Sequence, residues 1–528
     1  MQRSTFIIAA AVALLPLIGI AALLWRRFYR DQVDNTVRRV FKNSAVPTGI
    51  RMLVRALDFA FVLVLYNTRQ DNEIGVYALA TLLIGSYLST FTEFGLGVLL
   101  TRESAKNAAA TPQLFGVTLA LRLLLVAAAV PLIGLVIGSY RVLAVLGLSS
   151  SISFTGIQAI WILALTLIPS AYSNAVTAIY YSNERMEVPA AMELVTAVCG
   201  YLARVVVLTL GFGIVGISWA AVGVSTATAL LFLGLQLRNF FKPRIVWDWQ
   251  LMRSLVPVAL PLMLNNLLNA VFFRFDLFIV RAFGQSQGDA LVAKYNIAYQ
   301  IISIAMIIPS VVTFAVFPVL ARRSSGARTG LAEVQNRTLQ MLLLIAFPVA
   351  MGMCVLAPDL VRLISGRNAN EYLPISGDVL AILAWFLPLS FVNGLMQYVL
   401  IAIDKQRAIT RAFVIGAVFN LAANLAFIPL YGLYAASVIT ILSEVVLLLV
   451  FRPLLKREAL WPPLLRLAWR PAVGALTMGG VLFVTRPVIG WVGASMLAPL
   501  IYATTIWLLG GFGAEERALA RRVLGRSG

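Results

Sequence analysis

The sequence predicts an all-α chain that crosses a bilayer many times, and three observations carry that prediction. Only 12% of the 528 residues are charged while 60% are hydrophobic, about half the charge of a soluble domain. Apolar runs of about twenty residues, each long enough to span a membrane, recur from end to end. Arginine and lysine collect in every second connection between those runs, the asymmetry that orients polytopic proteins. Helices follow because in lipid a segment must satisfy its own backbone polar groups.

The first apolar run, residues 6–25, is longer than a signal-peptide core, and "RRFYR" follows it with no small-residue cleavage site. We read it as an uncleaved anchor helix that places Met1 outside, with residues 1–45 forming the anchor and a basic cytoplasmic segment. Fourteen spans follow, at about 46–66, 75–100, 114–138, 157–182, 188–211, 214–236, 254–283, 293–321, 338–364, 375–402, 411–430, 433–451, 471–490 and 493–512. Arg102 with Lys106, Arg185, and the clusters Arg238 to Arg253, Arg322 to Arg337, Lys405 to Arg411 and Arg452 to Arg470 share one side. The tail, residues 513–528, joins them and is cytoplasmic. Opposite loops hold little beyond Arg69, Arg141 and Arg367. The net charge of +20 is thereby topology plus contact with anionic lipid, not a nucleic-acid surface. Cys199 and Cys354 both fall in apolar spans, as small packing residues do. With no histidine, imidazole catalysis is excluded, and neither a cofactor nor a metal site is expected.

An internal repeat organises the spans. "PSAYSN" at 169–174 resembles "PLSFVN" at 388–393, so Pro169, Tyr172 and Asn174 become Pro388, Phe391 and Asn393 at a constant shift of 219. The same shift carries Gly213 onto Gly432, and a shift of 218 carries Tyr77 onto Tyr295 and Asp58 onto Asp276. Residues 46–236 and 254–451 thus read as two six-helix lobes, with residues 471–512 adding two C-terminal spans. Six is an even number of crossings, so the repeat is parallel, and transporters built this way bind substrate where the halves meet.

Charges at membrane depth are costly and tend to face a bundle interior or a wet cavity. Arg51, Arg55 and Asp58 fall at i, i+4 and i+7, on one face of the first span. Asn265, Asn269 and Asp276 form a similar stripe in the seventh, where the repeat aligns Asn269 and Asp276 with Arg51 and Asp58. Both stripes are expected to line a central cavity. Arg274, within "VFFRFDLFIV", points away from that stripe and either reaches the cavity, snorkels toward the outer interface or pairs within its own lobe. Arg204 either pairs with Glu193 or lines the cavity. Tyr299 and Gln300 complete the candidate polar lining, while Asp58, Glu93 and Asp276 are candidate ion-coupling carboxylates. Asn174, Gln397 and Asn424 read as helix-bridging amides. Prolines such as Pro169, Pro309, Pro388 and Pro429 are candidate kink points.

"KNSAVPTGIRMLVRALDF", "FGLGVLLTRESAK", "LPLMLNNLLNAVFFRFDLFIV" and "NLAANLAFIPLYGLYAASVITILSE" resemble the polysaccharide-transporter branch of the multidrug/oligosaccharidyl-lipid/polysaccharide exporter superfamily. That branch contains the Wzx-type flippases, with the lipid II flippase MurJ as a more distant relative. The likeness covers about residues 40 to 455. It implies two six-helix lobes alternating between inward-open and outward-open, in the cytoplasmic membrane of a bacterium or archaeon. The implied substrate is an undecaprenyl-pyrophosphate-linked oligosaccharide moved between leaflets, with cationic residues holding the pyrophosphate and an ion gradient supplying the drive. Arg51 and Arg55 match the first-helix arginines of the lipid II flippase, whereas Glu93 and the extra N-terminal helix depart from the pattern.

Three functions stay in view at this point. A lipid-linked oligosaccharide flippase, acting as a monomer, needs the cationic stripe. A multidrug or cation antiporter would use the acidic residues, and lipid II is an alternative cargo. A membrane-embedded glycan enzyme would need a large catalytic loop, which this sequence lacks. A polymerase or ligase partner is not named by any motif.

Overall fold

The computed structural model describes residues 36–324 and 328–510. The expected anchor helix at 6–25, most of the basic segment after it and the tail at 513–528 lie outside the described residues. Every regular element within them is helical, as the composition requires.

In chain order, α1 (Thr36–Thr68) and α2 (Asp71–Leu82) come first. A π-helical stretch, Leu83–Leu88, then leads into the short α3 (Ser89–Glu93) and α4 (Leu96–Lys106). Next are α5 (Thr111–Val145), α6 (Phe154–Ala164), α7 (Leu167–Ser182), α8 (Glu187–Thr209) and α9 (Gly213–Asn239). The sequence predicts one span at 254–283; the structure divides it at Phe275 into α10 (Trp249–Arg274) and α11 (Asp276–Phe283). The chain continues through α12 (Gly288–Ala305), α13 (Ile307–Ser324), α14 (Arg328–Val355), α15 (Ala357–Ser365) and α16 (Ala369–Tyr372). It ends with α17 (Ile375–Leu383), α18 (Phe386–Ala402), α19 (Gln406–Arg457) and α20 (Leu464–Leu508).

Eleven of the described helical stretches are long and apolar enough to cross a membrane. Two of them, α19 with 52 residues and α20 with 45, are too long for one crossing, since 1.5 Å per residue makes α19 about 78 Å long against a hydrocarbon core of about 30 Å. Each turns at a glycine: Gly432 has φ 57° and ψ −134°, and Gly490 has φ 73° and ψ 165°, conformations that a Cβ penalises. Both glycines fall where the sequence predicts the boundary between consecutive spans.

The helix breaks obey proline chemistry. α7, α13 and α18 begin at Leu167, Ile307 and Phe386, and in each the third residue is proline: Pro169, Pro309 and Pro388. A first helical turn has free N–H groups in any case, so proline's missing donor is harmless there. Pro131, Pro257, Pro261 and Pro348, by contrast, sit inside continuous helices. The starts of α7 and α18 differ by the repeat shift of 219, as do the ends of α6 and α17, and Gly213 shares the positive φ of Gly432.

Two compact units divide the described residues: 36–296 with 364–368, and 297–324, 328–363 and 369–510. In the first, α8 lies between α1 and α9, and α7 against α4, α5 and α9. One apolar cluster joins Leu96 and Leu99 of α4 to Val117 and Ala120 of α5 and to Met252, Ala259 and Met263 of α10. A second gathers Leu100, Phe115, Ile179, Tyr180, Met192 and Phe232 from five helices. In the second unit α14 lies along α20, where Met351 meets Ala475, Met478, Ala494 and Ala498. Lipid gives helices no hydrophobic reason to associate, so small residues that permit close approach hold them together. A Cβ on Gly479 would lie 2.5 Å from Met351 Sδ, and one on Gly75 of α2 would lie 1.7 Å from the Asp289 carbonyl of α12.

Candidate functional site

In the first unit α1 brings Arg51 and Asp58 to α8. Arg51 and Arg55 are exposed, and Arg51 Nε lies 4.0 Å from Glu193 Oε2. Arg204 Nη2 lies 3.7 Å from Asp58 Oδ1, the carboxylate side chain keeping 46% of its surface open against 20% for the arginine. Arg204 Nε also donates to the Gly200 carbonyl at 2.9 Å, and its guanidinium sits 4.3 Å above the ring of Phe61. Phe61 in turn meets Tyr77 of α2 edge-on. Of the two readings open for Arg204, pairing with Glu193 is replaced by pairing with Asp58. Glu193 goes to Arg51 instead. The sequence stripe alone could not show this exchange, because it depends on the register of α8 against α1.

This arrangement has a clear chemical capacity. Arg204 is immobilised by a ring, a carbonyl and a carboxylate, whereas Arg51, although Glu193 lies 4.0 Å from its Nε, keeps 64% of its side chain exposed, and Arg55 is exposed as well. A guanidinium presents parallel donors that match phosphate oxygens. Asp58 sits one turn after Arg55 and is the most open of the three candidate coupling carboxylates with described partners.

Glu93 is engaged in holding a helix break. Phe94 and Gly95 adopt φ of 53° and 73°, which ends α3 and starts α4. The Glu93 carboxylate accepts from Gly95 N at 2.7 Å and Gly97 N at 2.6 Å, covering amide donors that a helix start leaves free. Arg122, completely buried, comes within 3.4 Å of the same carboxylate and also donates to the Ala171 carbonyl.

The charges of "VFFRFDLFIV" flank Phe275, which keeps right-handed helical φ and ψ (−73°, −24°), and each finds a partner on a neighbouring element. Asp276 begins α11 and is 2% exposed. It accepts from Tyr295 Oη at 2.7 Å and from the Leu277 amide. Arg274 ends α10, and its Nη2 donates to Asn296 Oδ1 at 2.9 Å, while Asn296 donates to Tyr66 Oη. Arg274 therefore pairs within its own unit. Arg281, fully buried, donates to Asp289 and to the carbonyls of Ser150 and Ser151, and lies over the ring of Tyr140. Asn265 and Asn269 are exposed on α10.

In the second unit Tyr299 Oη lies 3.4 Å from Thr440 Oγ1, and Gln300 is half-buried. Asn393 donates to the carboxylate and carbonyl of Glu444, and Asn420 donates to Ser443 across the Gly432 kink, so both bridge helical segments. Asn424, read as a helix-bridging amide, instead donates to Asn420 one turn back on its own helix. Phe61, Tyr295 and Asn296 were not singled out by sequence reasoning for these contacts. The shift of 218 that aligns Asp276 with Asp58 and Tyr295 with Tyr77 was the available signal for one of them.

A family model described as polysaccharide biosynthesis protein matches residues 70–374, more than half of the chain. Over 153 residues the chain is 27% identical to the probable low-salt glycan biosynthesis flippase Agl15 of Haloferax volcanii. That match takes in 29% of this chain and spans only 32% of the relative. Among solved structures, the lipid II flippase MurJ in an inward closed conformation superposes with a TM-score of 0.72 at 15% identity, over 92% of this chain and 100% of MurJ. A multidrug resistance MATE family transporter of the MOP superfamily, inward-facing, gives 0.60 at 17% identity over 77% and 94% of the two chains. A MOP superfamily transporter from Pyrococcus furiosus gives 0.54 at 16% over 80% and 95%. The fold is thus the one shared by MurJ and the MOP transporters, and by the extent of its family match the chain belongs to the polysaccharide biosynthesis protein family.

Proposed function

We propose that the protein is a flippase. It moves a polyprenyl-pyrophosphate-linked oligosaccharide from the inner to the outer leaflet of a bacterial or archaeal cytoplasmic membrane, for surface polysaccharide assembly. The observation that carries this reading is the pair of open guanidinium groups, Arg51 and Arg55, on the helix face that also presents the Asp58–Arg204 pair. Family membership and the MurJ-like fold support it.

In this reading Arg51 and Arg55 hold the pyrophosphate, with Arg204 fixed beside them. Asn265, Asn269, Arg274, Tyr299 and Gln300 contribute to sugar and headgroup contacts. Asp58 is the first coupling carboxylate: loading it with a proton or cation weakens its hold on Arg204 and couples ion entry to headgroup release. Asp276 and Glu93, both already hydrogen-bonded, are second choices. Residues 46–236 and 254–451 form two parallel six-helix lobes that exchange access by rocking. The matched starts of α7 and α18 and the shared positive φ of Gly213 and Gly432 support that repeat. The arginine-rich loops and the C-terminus face the cytoplasm and the N-terminus faces outward. The protein works as a monomer, in contact with membrane lipids and open to a polymerase or ligase partner.

Arg55→Ala tests the assignment. It should abolish surface glycan while the protein remains inserted at wild-type level; unchanged glycan export refutes it. A second reading, a multidrug or cation antiporter, is favoured by the half-open Asp58 and by the MATE likeness. Proteoliposome uptake of a fluorescent cation, set against translocation of polyprenyl-pyrophosphate glycan and of lipid II, separates the three cargoes.

A further inference from the structure

The second unit holds a cavity of about 300 Å³ at the start of α20, lined by Gln340 and Leu344 of α14 and by Pro463, Arg466, Leu467, Trp469, Arg470 and Pro471. Its volume is at the small end of ligand sites, which run from about 300 to 1,000 Å³. Its chemistry is one-sided. Two guanidinium groups line it, and among the described residues neither has a carboxylate within ion-pair distance. Arg470 donates through Nη1 to the Gly510 carbonyl and lies 5.4 Å from the centre of the Trp469 ring. Its Nε is buried and lacks a hydrogen-bond partner among the described residues. An unsatisfied buried donor is costly, so an acceptor in the cavity would relieve it.

Two further features choose the kind of acceptor. Most of the lining belongs to the first two turns of α20, where free amides and the helix dipole favour an anion. Arg466 and Trp469 are both exposed beside an apolar helix surface that includes exposed Leu465 and Val473. Arginine with tryptophan at the end of a spanning helix is the composition found at the headgroup layer, and basic pockets between helices there take lipid phosphates. We infer that this cavity binds the phosphate of an anionic phospholipid headgroup, Arg466 and Arg470 holding its oxygens, Gln340 its polar substituent, and Trp469 flanking the glycerol. The inference does not depend on the flippase reading.

The test uses the full-length protein, released from membranes into detergent and stepwise delipidated, with bound lipid counted by native mass spectrometry. Phosphatidylglycerol added back should persist as one tightly held molecule per chain, and phosphatidylcholine should not. Arg466→Gln, an exposed substitution that leaves the Arg470–Gly510 hydrogen bond in place, should weaken retention about tenfold, the effect of roughly one charge-assisted contact of 1.4 kcal/mol. Arg466→Gln with Arg470→Gln should abolish it, while Arg411→Gln, another exposed arginine, should change nothing. Equal retention by wild type and Arg466→Gln overturns the site, as does equal loss in Arg411→Gln. Displacement of the lipid by millimolar inorganic phosphate, or occupancy by polyprenyl pyrophosphate and not by phosphatidylglycerol, overturns the phospholipid assignment.

Discussion

Arg204 is the residue whose removal tests the candidate site most directly. Leucine there keeps most of the apolar stem and deletes the guanidinium. At 3.7 Å from Asp58, two unit charges at an effective dielectric of 20 attract by about 4.5 kcal/mol. The open Asp58 side chain lets solvent screen most of that, leaving about 1 kcal/mol. The contact with the Phe61 face at 4.3 Å contributes about 1 kcal/mol. The charged donor to the Gly200 carbonyl contributes about 1.5 kcal/mol. Arg204→Leu should therefore destabilise the fold by about 3.5 kcal/mol in total. Double-mutant cycles separate the parts: Asp58→Asn with Arg204→Leu, and Phe61→Leu with Arg204→Leu, should each show coupling of about 1 kcal/mol. Unfolding in mixed micelles, followed by tryptophan fluorescence against SDS fraction, gives the free energies. Additivity within about 0.3 kcal/mol in both cycles would mean that Arg204 engages neither partner, and the immobilised-arginine account would fail. If Asp58 couples ion and cargo, Asp58→Asn should also depress transport by more than its loss of folded protein.

The same titration checks three other substitutions. Tyr295→Phe removes the hydroxyl that donates to buried Asp276 and should cost about 1.5–3 kcal/mol; an effect near zero would show that the carboxylate does not need it. Arg122→Leu leaves Glu93 without its cation in a largely buried setting and should cost about 3–5 kcal/mol. Adding Glu93→Gln to it should recover part of that loss, and a purely additive double variant would contradict the pairing. Gly490→Ala places a Cβ on a backbone conformation reserved for glycine and should cost about 1–3 kcal/mol, whereas Gly480→Ala, in open space on the same helix, should be neutral or slightly stabilising.

The sequence by itself determined the helical class and the recurrence of apolar runs long enough to cross a bilayer. Those properties depend on local chemistry, apolar length against bilayer thickness, and three of the prolines singled out do fall three residues into α7, α13 and α18. It also singled out Arg51, Arg55 and Asp58, because three charges on one helical face are conspicuous in an apolar chain. Partner choice was not legible. Glu193 and Arg204 lie eleven residues apart on α8, and only the register of α8 against α1 assigned one to Arg51 and the other to Asp58. Span seven likewise gave no sign of which neighbours its two charges would meet. Only the tertiary structure decided that Asp276 and Arg274 would face Tyr295 and Asn296, and that Glu93 would cap the start of α4. A buried charge takes whatever donor or carbonyl the neighbouring helix brings within about 3 Å, and that distance is set by helix packing, which hydropathy does not encode.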